Sequence, residues 1–365
     1  MAQQKVRVGV IGATWGERAH VPAVKALPEM ELAAVCTAHR ETAEAMAQRT
    51  GAPKAYSDAA QLLQDPDIDL VTIAVRPALH HPLAEAALKA GKHVYCEWPA
   101  ALNVAQAQDL VNLARESKRM VMVGLQAQWS PIIMHMRRLM QEEYVGEVLN
   151  FAFTQIMSQY QRPTHSGRWW TTVKEEGGST LFLQGGAVMQ VLTWVLGDPT
   201  ELAAAADVRL KQWTWSDTGE TIDVTSPDTL AIALRLKSGA VGTVTVSRVS
   251  WNGSGQRLEI YGTEGSLQLT RIESEGRRRQ ALLGAKDDEP LQELTPPEDL
   301  FFVSEVPRYA TLFPVAQSFR QLARAIRTGE PTEPGPDTTL SLHRILAAIE
   351  QASQEKRWVS AGLGG

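Results

Sequence analysis

The sequence predicts an α/β protein with an N-terminal doubly wound domain and a C-terminal α/β domain built on a large, mostly antiparallel open sheet. Three observations carry that expectation. Apolar strands and helices alternate through the first third of the chain. A glycine-bearing turn, Gly9-Val10-Ile11-Gly12-Ala13-Thr14-Trp15-Gly16, joins the first strand to the first helix. Beyond about Gly146, strands follow one another at hairpin spacing.

Val6 to Ile11 reads as a short apolar strand, and a helix runs through Ala23 to Leu27. Leu32 to Cys36 and Glu41 to Arg49 repeat the pair. Leu70 to Ala74 is a third apolar run, followed by a helix at Leu83 to Ala90 that Gly91 terminates. Strand Val94 to Cys96, helix Ala105 to Ser117 and strand Met120 to Val123 complete the series. Such alternation implies a parallel sheet with right-handed crossovers. The Trp129-Ser130-Pro131 turn then opens a connecting helix, which sets the domains at 1–126 and 127–365.

In the second domain, Leu149 to Met157, Leu202 to Leu210, Thr229 to Leu236, Val241 to Ser250, Arg257 to Tyr261 and Ser266 to Thr270 read as strands. Turns such as Lys237-Ser238-Gly239 and Gly262-Thr263-Glu264-Gly265 join several of them directly. One long helix, about Thr180 to Leu196, sits among them. Helices near Val315 to Arg327 and Thr338 to Gln351 close the chain and are free to pack back on the first domain. Too few helices are available to cover both faces of the sheet. A bare apolar face, with Val244 and Val246 on it, implies a homodimer or homotetramer through that sheet.

The 365 residues are 44% hydrophobic and 21% charged, with a formal net charge of -5. That balance gives no electrostatic reason to bind nucleic acid or an anionic membrane. The basic cluster Arg277 to Arg279 reads as a solvated hairpin turn. Two cysteines, Cys36 and Cys96, are too few for a disulfide scaffold or a soft metal site and read as small buried residues. No apolar run approaches the ~20 residues of a membrane span, and no signal-peptide core precedes the first strand. The expectation is a soluble, cytoplasmic protein.

Small residues before a helix N-terminus suit a pyrophosphate, which takes free backbone N–H groups and the helix dipole. Gly12, Thr14, Trp15 and Gly16 are therefore the candidate dinucleotide turn, although Thr14 and Glu17 stand at two positions where the fingerprint has glycine. The second strand ends Cys36-Thr37-Ala38-His39-Arg40, without the acidic residue that holds an adenosine ribose. Arg40 and His39 instead suit a 2'-phosphate, which favours NADP over NAD, and Thr37 joins them as a cofactor-binding candidate. The alternative is that Arg40 is a solvated residue opening the second helix.

The chain resembles the glucose–fructose oxidoreductase / inositol dehydrogenase family of NAD(P)-dependent dehydrogenases nearly end to end. The resemblance rests on Leu79-His80, Ala90-Gly91-Lys92-His93-Val94, Glu97-Trp98-Pro99, Val145-Gly146-Glu147-Val148, Gly177-Gly178 with Gly197, and Gly262-Thr263-Glu264-Gly265-Ser266. Within the family it is most similar to the branch of the yeast galactose-gene repressor, through His20-Val21-Pro22-Ala23, Glu97-Trp98 and Ser158-Gln159-Tyr160-Gln161-Arg162-Pro163. The resemblance implies a Rossmann domain, an oligomer-forming sheet domain, and cofactor contacts from Arg76, Pro77, His80, Glu97, Trp98 and Gln126. For His80, a helix-capping role is the alternative.

The family's usual reactive groups are missing. Trp98 stands where its lysine is expected, and Leu183, Ala187 and Gln190 stand where its helix carries Asp, His and Asp. Hydride transfer to or from a sugar carbon needs a partner for the hydroxyl proton, which leucine, alanine and tryptophan cannot supply. Two readings follow. One is an oxidoreductase of sugar-like or cyclic polyol substrates with a relocated acid–base group, Tyr160 or His165. Trp98, Gln128, Trp129, Arg168, Trp169, Gln184 and Gln190 would then contact substrate. The other is a catalytically silent cofactor-bound sensor or regulator.

Overall fold

The computed structural model describes residues 5–158, 164–274, 277–331 and 333–363. The chain forms two compact units, Met1–Trp129 with Phe301–His343, and Ser130–Leu300 with Arg344–Gly365. The division therefore falls at Trp129/Ser130, and the stretch after Leu300 returns to the first unit before the chain ends in the second.

The first unit is a parallel sheet of β1 (Val6–Ile11), β2 (Met30–Cys36), β3 (Lys54–Tyr56), β4 (Leu70–Ile73), β5 (His93–Glu97) and β6 (Val121–Gly124). Its order is β3-β2-β1-β4-β5-β6, the doubly wound dinucleotide-binding order. The crossovers carry α1 (Val21–Ala26), which continues a π-helical turn at Gly16–His20, then α2 (Arg40–Thr50), α3 (Ala59–Gln64), α4 (His80–Lys89) and α5 (Val104–Ser117). Periodicity passes over β3 and α3, which are too short to show it. The core joins Val8, Val10, Val35, Leu70, Tyr95 and Met122 of the strands to Val24, Phe313, Phe319 and Leu322.

The motif Ala90 to Val94 is structural in this chain. Gly91 takes φ 74°, the left-handed turn that ends α4. The Lys92 ammonium donates to the Asp65 and Ile68 carbonyls at 2.7 and 2.8 Å. His93 Nδ1 accepts from the Met120 amide at 2.9 Å.

The second unit opens with α6 (Pro131–Gln141) and β7 (Val148–Ile156). A π-helical turn at Leu181–Gly185 runs into α7 (Gly186–Leu196). Then follow β8 (Pro199–Asp207), β9 (Gln212–Thr214), β10 (Thr221–Asp223), β11 (Thr229–Leu236), β12 (Val241–Ser247), β13 (Gly255–Gly262), β14 (Gly265–Ser274), β15 (Arg277–Lys286) and β16 (Gln292–Glu293). Further on come α8 (Phe313–Thr328), in the first unit, α9 (Pro336–Glu355), and β17 (Val359–Ser360) in the second. The large sheet has nine strands in the order β16-β15-β14-β13-β7-β12-β11-β8-β17. It is antiparallel except for the central β7–β12 pair.

Register assigns the faces of this sheet. Leu230, Ile232, Leu234, Phe153, Leu258, Ile260, Leu267 and Leu269 are buried on one side, where α7 packs on β7 and α6 on β15. Val244 and Val246 share that side and are 0% exposed. The expectation that they lie on the open face is wrong, because each pairs across the ladder with inward residues such as Phe153 and Leu230. The open face instead carries Ala205, Ala231, Arg235, Thr243 and Arg257, all exposed.

Two further expectations change. Arg277 to Arg279 are ladder residues of β15 rather than a turn, and Arg279 pairs with Glu293 at 2.6 and 2.8 Å. The helical stretch Lys174–Leu196 matches a membrane span in length and average hydropathy, but 67% of its apolar window is buried in the protein, as a core helix is. Cys36 and Cys96 are both buried free thiols.

Candidate functional site

In a doubly wound sheet, ligands bind at the carboxyl ends of the strands, where the order reverses. Here the reversal lies at β1, with β2 on one side and β4 on the other. The ends of β1 and β4 approach closely. Gly12 has φ +119°, and a Cβ on it would stand 2.1 Å from the Ala74 carbonyl oxygen. Its amide donates to the Cys36 carbonyl at 2.9 Å. Only glycine fits, and Ala13 and Thr14 beyond it are exposed. This is a backbone cradle leading into a helix, which fits a pyrophosphate.

The fingerprint's missing glycine is displaced rather than lost. A Cβ on Gly16 would lie 3.0 Å from Val10 Cγ1, so Gly16 supplies the close approach of helix to strand. Glu17 is turned to Arg49 at 2.7 and 2.9 Å, and that guanidinium holds its carboxyl below the usual range. Trp15 is half-buried against the core of the unit.

At the end of β2, Thr37 is 8% exposed, and its hydroxyl donates to the His39 carbonyl at 2.9 Å. His39 is exposed, and the Arg40 side chain is 83% exposed and paired with Glu44 four residues on. At the end of β4, Arg76 is half-buried and Pro77 buried. His80 does not face the crevice. It is 1% exposed, and its ring nitrogens meet the Pro99 and Val75 carbonyls at 2.8 and 3.0 Å. It clamps the two strand-end loops together, and burial keeps its pKa below the ordinary histidine value.

The end of β5 holds the densest polar network. Glu97 Oε1 lies 2.9 Å from Nε2 of His20, at the end of the π-helical turn. Gln126 Nε2 donates to both Glu97 oxygens at 3.0 and 3.1 Å. A Cβ on Gly124 would come within 2.8 Å of the same carboxylate, so a side chain there would push Glu97 out of this network. Trp98 is only 8% exposed and lies against the His343 ring, centroids 5.3 Å apart and planes 35° apart. The indole is thus mostly enclosed within its own unit, which leaves little of it to act as a stacking wall.

Other candidates are structural in the same way. Gln128 is 4% exposed. Trp129 packs edge-on to Phe302 at 6.2 Å, and its carbonyl accepts from Gln317 at 2.7 Å.

In the second unit, Tyr160 lies outside the described residues. His165 has a side chain 70% exposed, with Nε2 3.4 Å from Asp217 Oδ2. Its Nδ1 accepts from the Gly167 amide at 3.1 Å. Asp217, at the tip between β9 and β10, also accepts from the Ser166 amide at 2.8 Å and hydroxyl at 2.5 Å. Arg168 is exposed, and Trp169 is 42% exposed. On the long helix, Leu183, Gln184 and Ala187 are half-buried, and the Gln184 Oε1 atom is buried without a hydrogen-bond partner. Gln190 is 1% exposed and belongs to the interior.

Sequence reasoning missed His20 and Asp217. The signal for His20 was a lone polar residue inside Ala19-His20-Val21, and for Asp217 the turn Ser216-Asp217-Thr218-Gly219. Elsewhere, His81, Glu85 and Asp109 bring ligand atoms within 4.8 Å of one another, but Glu85 is already bonded to Lys89 at 2.7 Å.

Comparison with known proteins agrees with this geometry. Residues 6–125 match the family described as "Oxidoreductase family, NAD-binding Rossmann fold", and residues 133–268 match the GFO/IDH/MocA C-terminal domain. An uncharacterized oxidoreductase of Synechocystis is 27% identical over 361 residues, covering 97% of this chain and 95% of that one. The levoglucosan dehydrogenase of Pseudarthrobacter phenanthrenivorans is 28% identical, over 72% of this chain and 73% of its own. The crystal structure of an NAD-binding oxidoreductase from Klebsiella pneumoniae superposes with a TM-score of 0.86 at 29% identity, covering 98% and 99% of the two chains. With both of its units matched in order, the chain belongs to the Gfo/Idh/MocA family of oxidoreductases, and its first unit is that family's NAD-binding domain.

Proposed function

We propose that the protein is an NAD(P)-dependent oxidoreductase acting on a CH–OH group of a sugar-like or cyclic polyol substrate. The observation that carries it is the Gly12 to Gly16 cradle at the reversal point of the first sheet, in a chain whose curated relatives include a levoglucosan dehydrogenase. When bound, the dinucleotide accepts or supplies hydride. Gly12, Thr14, Trp15 and Gly16 hold its pyrophosphate, Thr37, His39 and Arg40 the adenosine ribose, and Arg76, Pro77, Glu97 and Gln126 line the other half. Arg168, Trp169 and Gln184 contact substrate.

The exposed guanidinium of Arg40 and the absence of an acidic residue between Thr37 and Arg40 favour NADP over NAD. Titration with NADPH and NADH, followed by the fluorescence of the reduced cofactor, should show saturable binding of both with NADPH the tighter. Replacing Arg40 with alanine should weaken NADPH by roughly tenfold and NADH much less, as expected for one exposed charge pair with a phosphate. Equal losses would remove Arg40 from that role.

Turnover is tested with a panel of sugars, inositols and levoglucosan and NAD(P)+, read at the reduced cofactor's absorbance. His165→Ala and Tyr160→Phe enter the same panel. A lost acid–base group lowers turnover by roughly a hundredfold. Undiminished turnover in both variants would remove His165 and Tyr160 from the acid–base role. Binding without turnover on any polyol would overturn the enzyme reading and leave a silent regulator. The protein is further proposed to assemble as a homodimer or homotetramer through the open face of its second sheet.

A further inference from the structure

This inference rests on the oxidoreductase reading and concerns the size of the substrate. On the helix-covered side of the nine-stranded sheet, one register row changes character along its length. Leu230 on β11 pairs with Val246 on β12, Val246 with Gln155 on β7, and Gln155 with Gln256 on β13. The two apolar residues are 0% exposed, whereas Gln155 and Gln256 are half-buried. Two residues along on the same side, Phe153 and Leu258 are fully buried. The row therefore marks where the core ends and an accessible polar surface begins.

The amides are joined in a chain. Gln280 Nε2 on β15 donates to Gln256 Oε1 at 2.8 Å, Gln256 Nε2 to Gln155 Oε1 at 3.5 Å, and Gln155 Nε2 to the Met157 sulfur at 3.6 Å. A carboxamide carries two N–H donors and two acceptor lone pairs. Among the described residues the chain uses one donor of each amide, which leaves each a second N–H for a ligand. In the order β15-β14-β13-β7 the chain spans three strand spacings, about 14 Å at about 4.8 Å each. That is longer than one sugar ring.

At its apolar end the same row meets the long helix. A Cβ on Gly185 would stand 2.9 Å from Leu230 Cδ1, so the helix start lies directly on it. The neighbouring Gln184 is half-buried, and its Oε1 is buried without a hydrogen-bond partner. An orphaned buried acceptor is an anomaly in a folded chain, and a ligand hydroxyl removes it. Neutral amides donate to and accept from hydroxyls, and the half-buried Met157 offers a soft apolar contact to C–H groups.

We propose that Gln155, Gln256 and Gln280 form a subsite for a second sugar ring, beside the ring that Gln184 contacts, and that the substrate is of disaccharide size. The second ring is held by its hydroxyls and is not itself oxidised.

One-ring probes (glucose, myo-inositol) and two-ring probes (maltose, cellobiose, sucrose, trehalose) are compared on the full chain with NADH present. Calorimetry should give the best two-ring probe a Kd at least about tenfold below the best one-ring probe, as expected of two or three neutral hydrogen bonds. Side-chain amide 15N signals of Gln155, Gln256 and Gln280 should shift with that probe. Gln256→Leu should cut the two-ring preference to within about twofold. Gln256→Asn, which shortens the amide's reach, should erode it too and serves if the leucine variant fails to fold. Equal affinity for both probe sets, or a preference that survives both Gln256→Leu and Gln280→Leu, overturns the subsite. One-ring turnover with no gain from a second ring overturns the subsite alone. NADH binding with no turnover of either set overturns the oxidoreductase reading, and the subsite with it.

Discussion

Trp98 shows how a single side chain reshapes a motif. Its indole is 8% exposed against His343, so Trp98→Lys, which restores the family's usual residue, removes a packed ring and leaves an ammonium beside a buried imidazole. The expected cost is about 3–5 kcal/mol, the range for emptying a buried tryptophan site, seen as a lowered denaturation midpoint. His343 itself is held neutral, its pKa pushed down to about 4 by burial. In the unfolded chain it titrates near 6.5. The unfolded state therefore binds the extra proton as pH falls from about 6.5 to about 4, and stability is lost across that window. Urea denaturation at several pH values should show His343→Gln losing less stability than the wild type on acidification; equal losses would refute the assignment. Glu97 and Trp98 were legible as a motif because they are adjacent. His20 was not, because its partner lies 77 residues along the chain and a buried pair of that separation leaves no local pattern.

At the scale of elements, the strands and helices that sequence recovers are those long enough to show a period. The start of α5 is closed by a side-chain pair that the sequence reading passed over, Asn103 and Gln106. Asn103 Oδ1 accepts from the Gln106 amide at 2.9 Å, and Gln106 Oε1 accepts from the Leu102 amide at 2.8 Å. Asn103→Ala should cost about 1 kcal/mol, measurable by denaturant unfolding, with Asn103→Asp near neutral. The two π-helical turns, Gly16–His20 and Leu181–Gly185, were not legible. A widened turn depends on what the helix start must reach, here Glu97 for the first. The tip of the β9–β10 hairpin holds a neighbouring loop. Asp217→Ala releases the Ser166 amide and hydroxyl and the His165 ring. Hydrogen exchange at Ser166 and Gly167 should accelerate while the β11 amides keep their protection.

Across the whole molecule, the strand order of the first sheet followed from alternation. The extent of the second sheet did not, because β15 opens on polar residues and β16 and β17 are only two residues long. The sequence identified the open sheet but put Val244 and Val246 on its bare face, the wrong side, since a one-residue shift in register exchanges the faces. The ladder settles it. Val244 is 0% exposed and pairs across to Phe153 and Ile232, so Val244→Asp buries an unpaired carboxylate and should unfold the protein whatever its assembly state. The proposed association face is instead the open side carrying Ala205, Ala231 and Thr243, exposed small residues that allow close approach of a flat partner. Pairing two such faces about a twofold axis places each residue near its own symmetry mate or a neighbour's, so one added charge is doubled across the contact. Ala231→Glu should therefore shift light scattering from a multiple of 40.0 kDa toward the single chain at micromolar concentration, with the thermal midpoint of the monomer little changed. A wild type that scatters as 40.0 kDa would end the assembly proposal. An Ala231→Glu variant that stays oligomeric would move the contact to another surface.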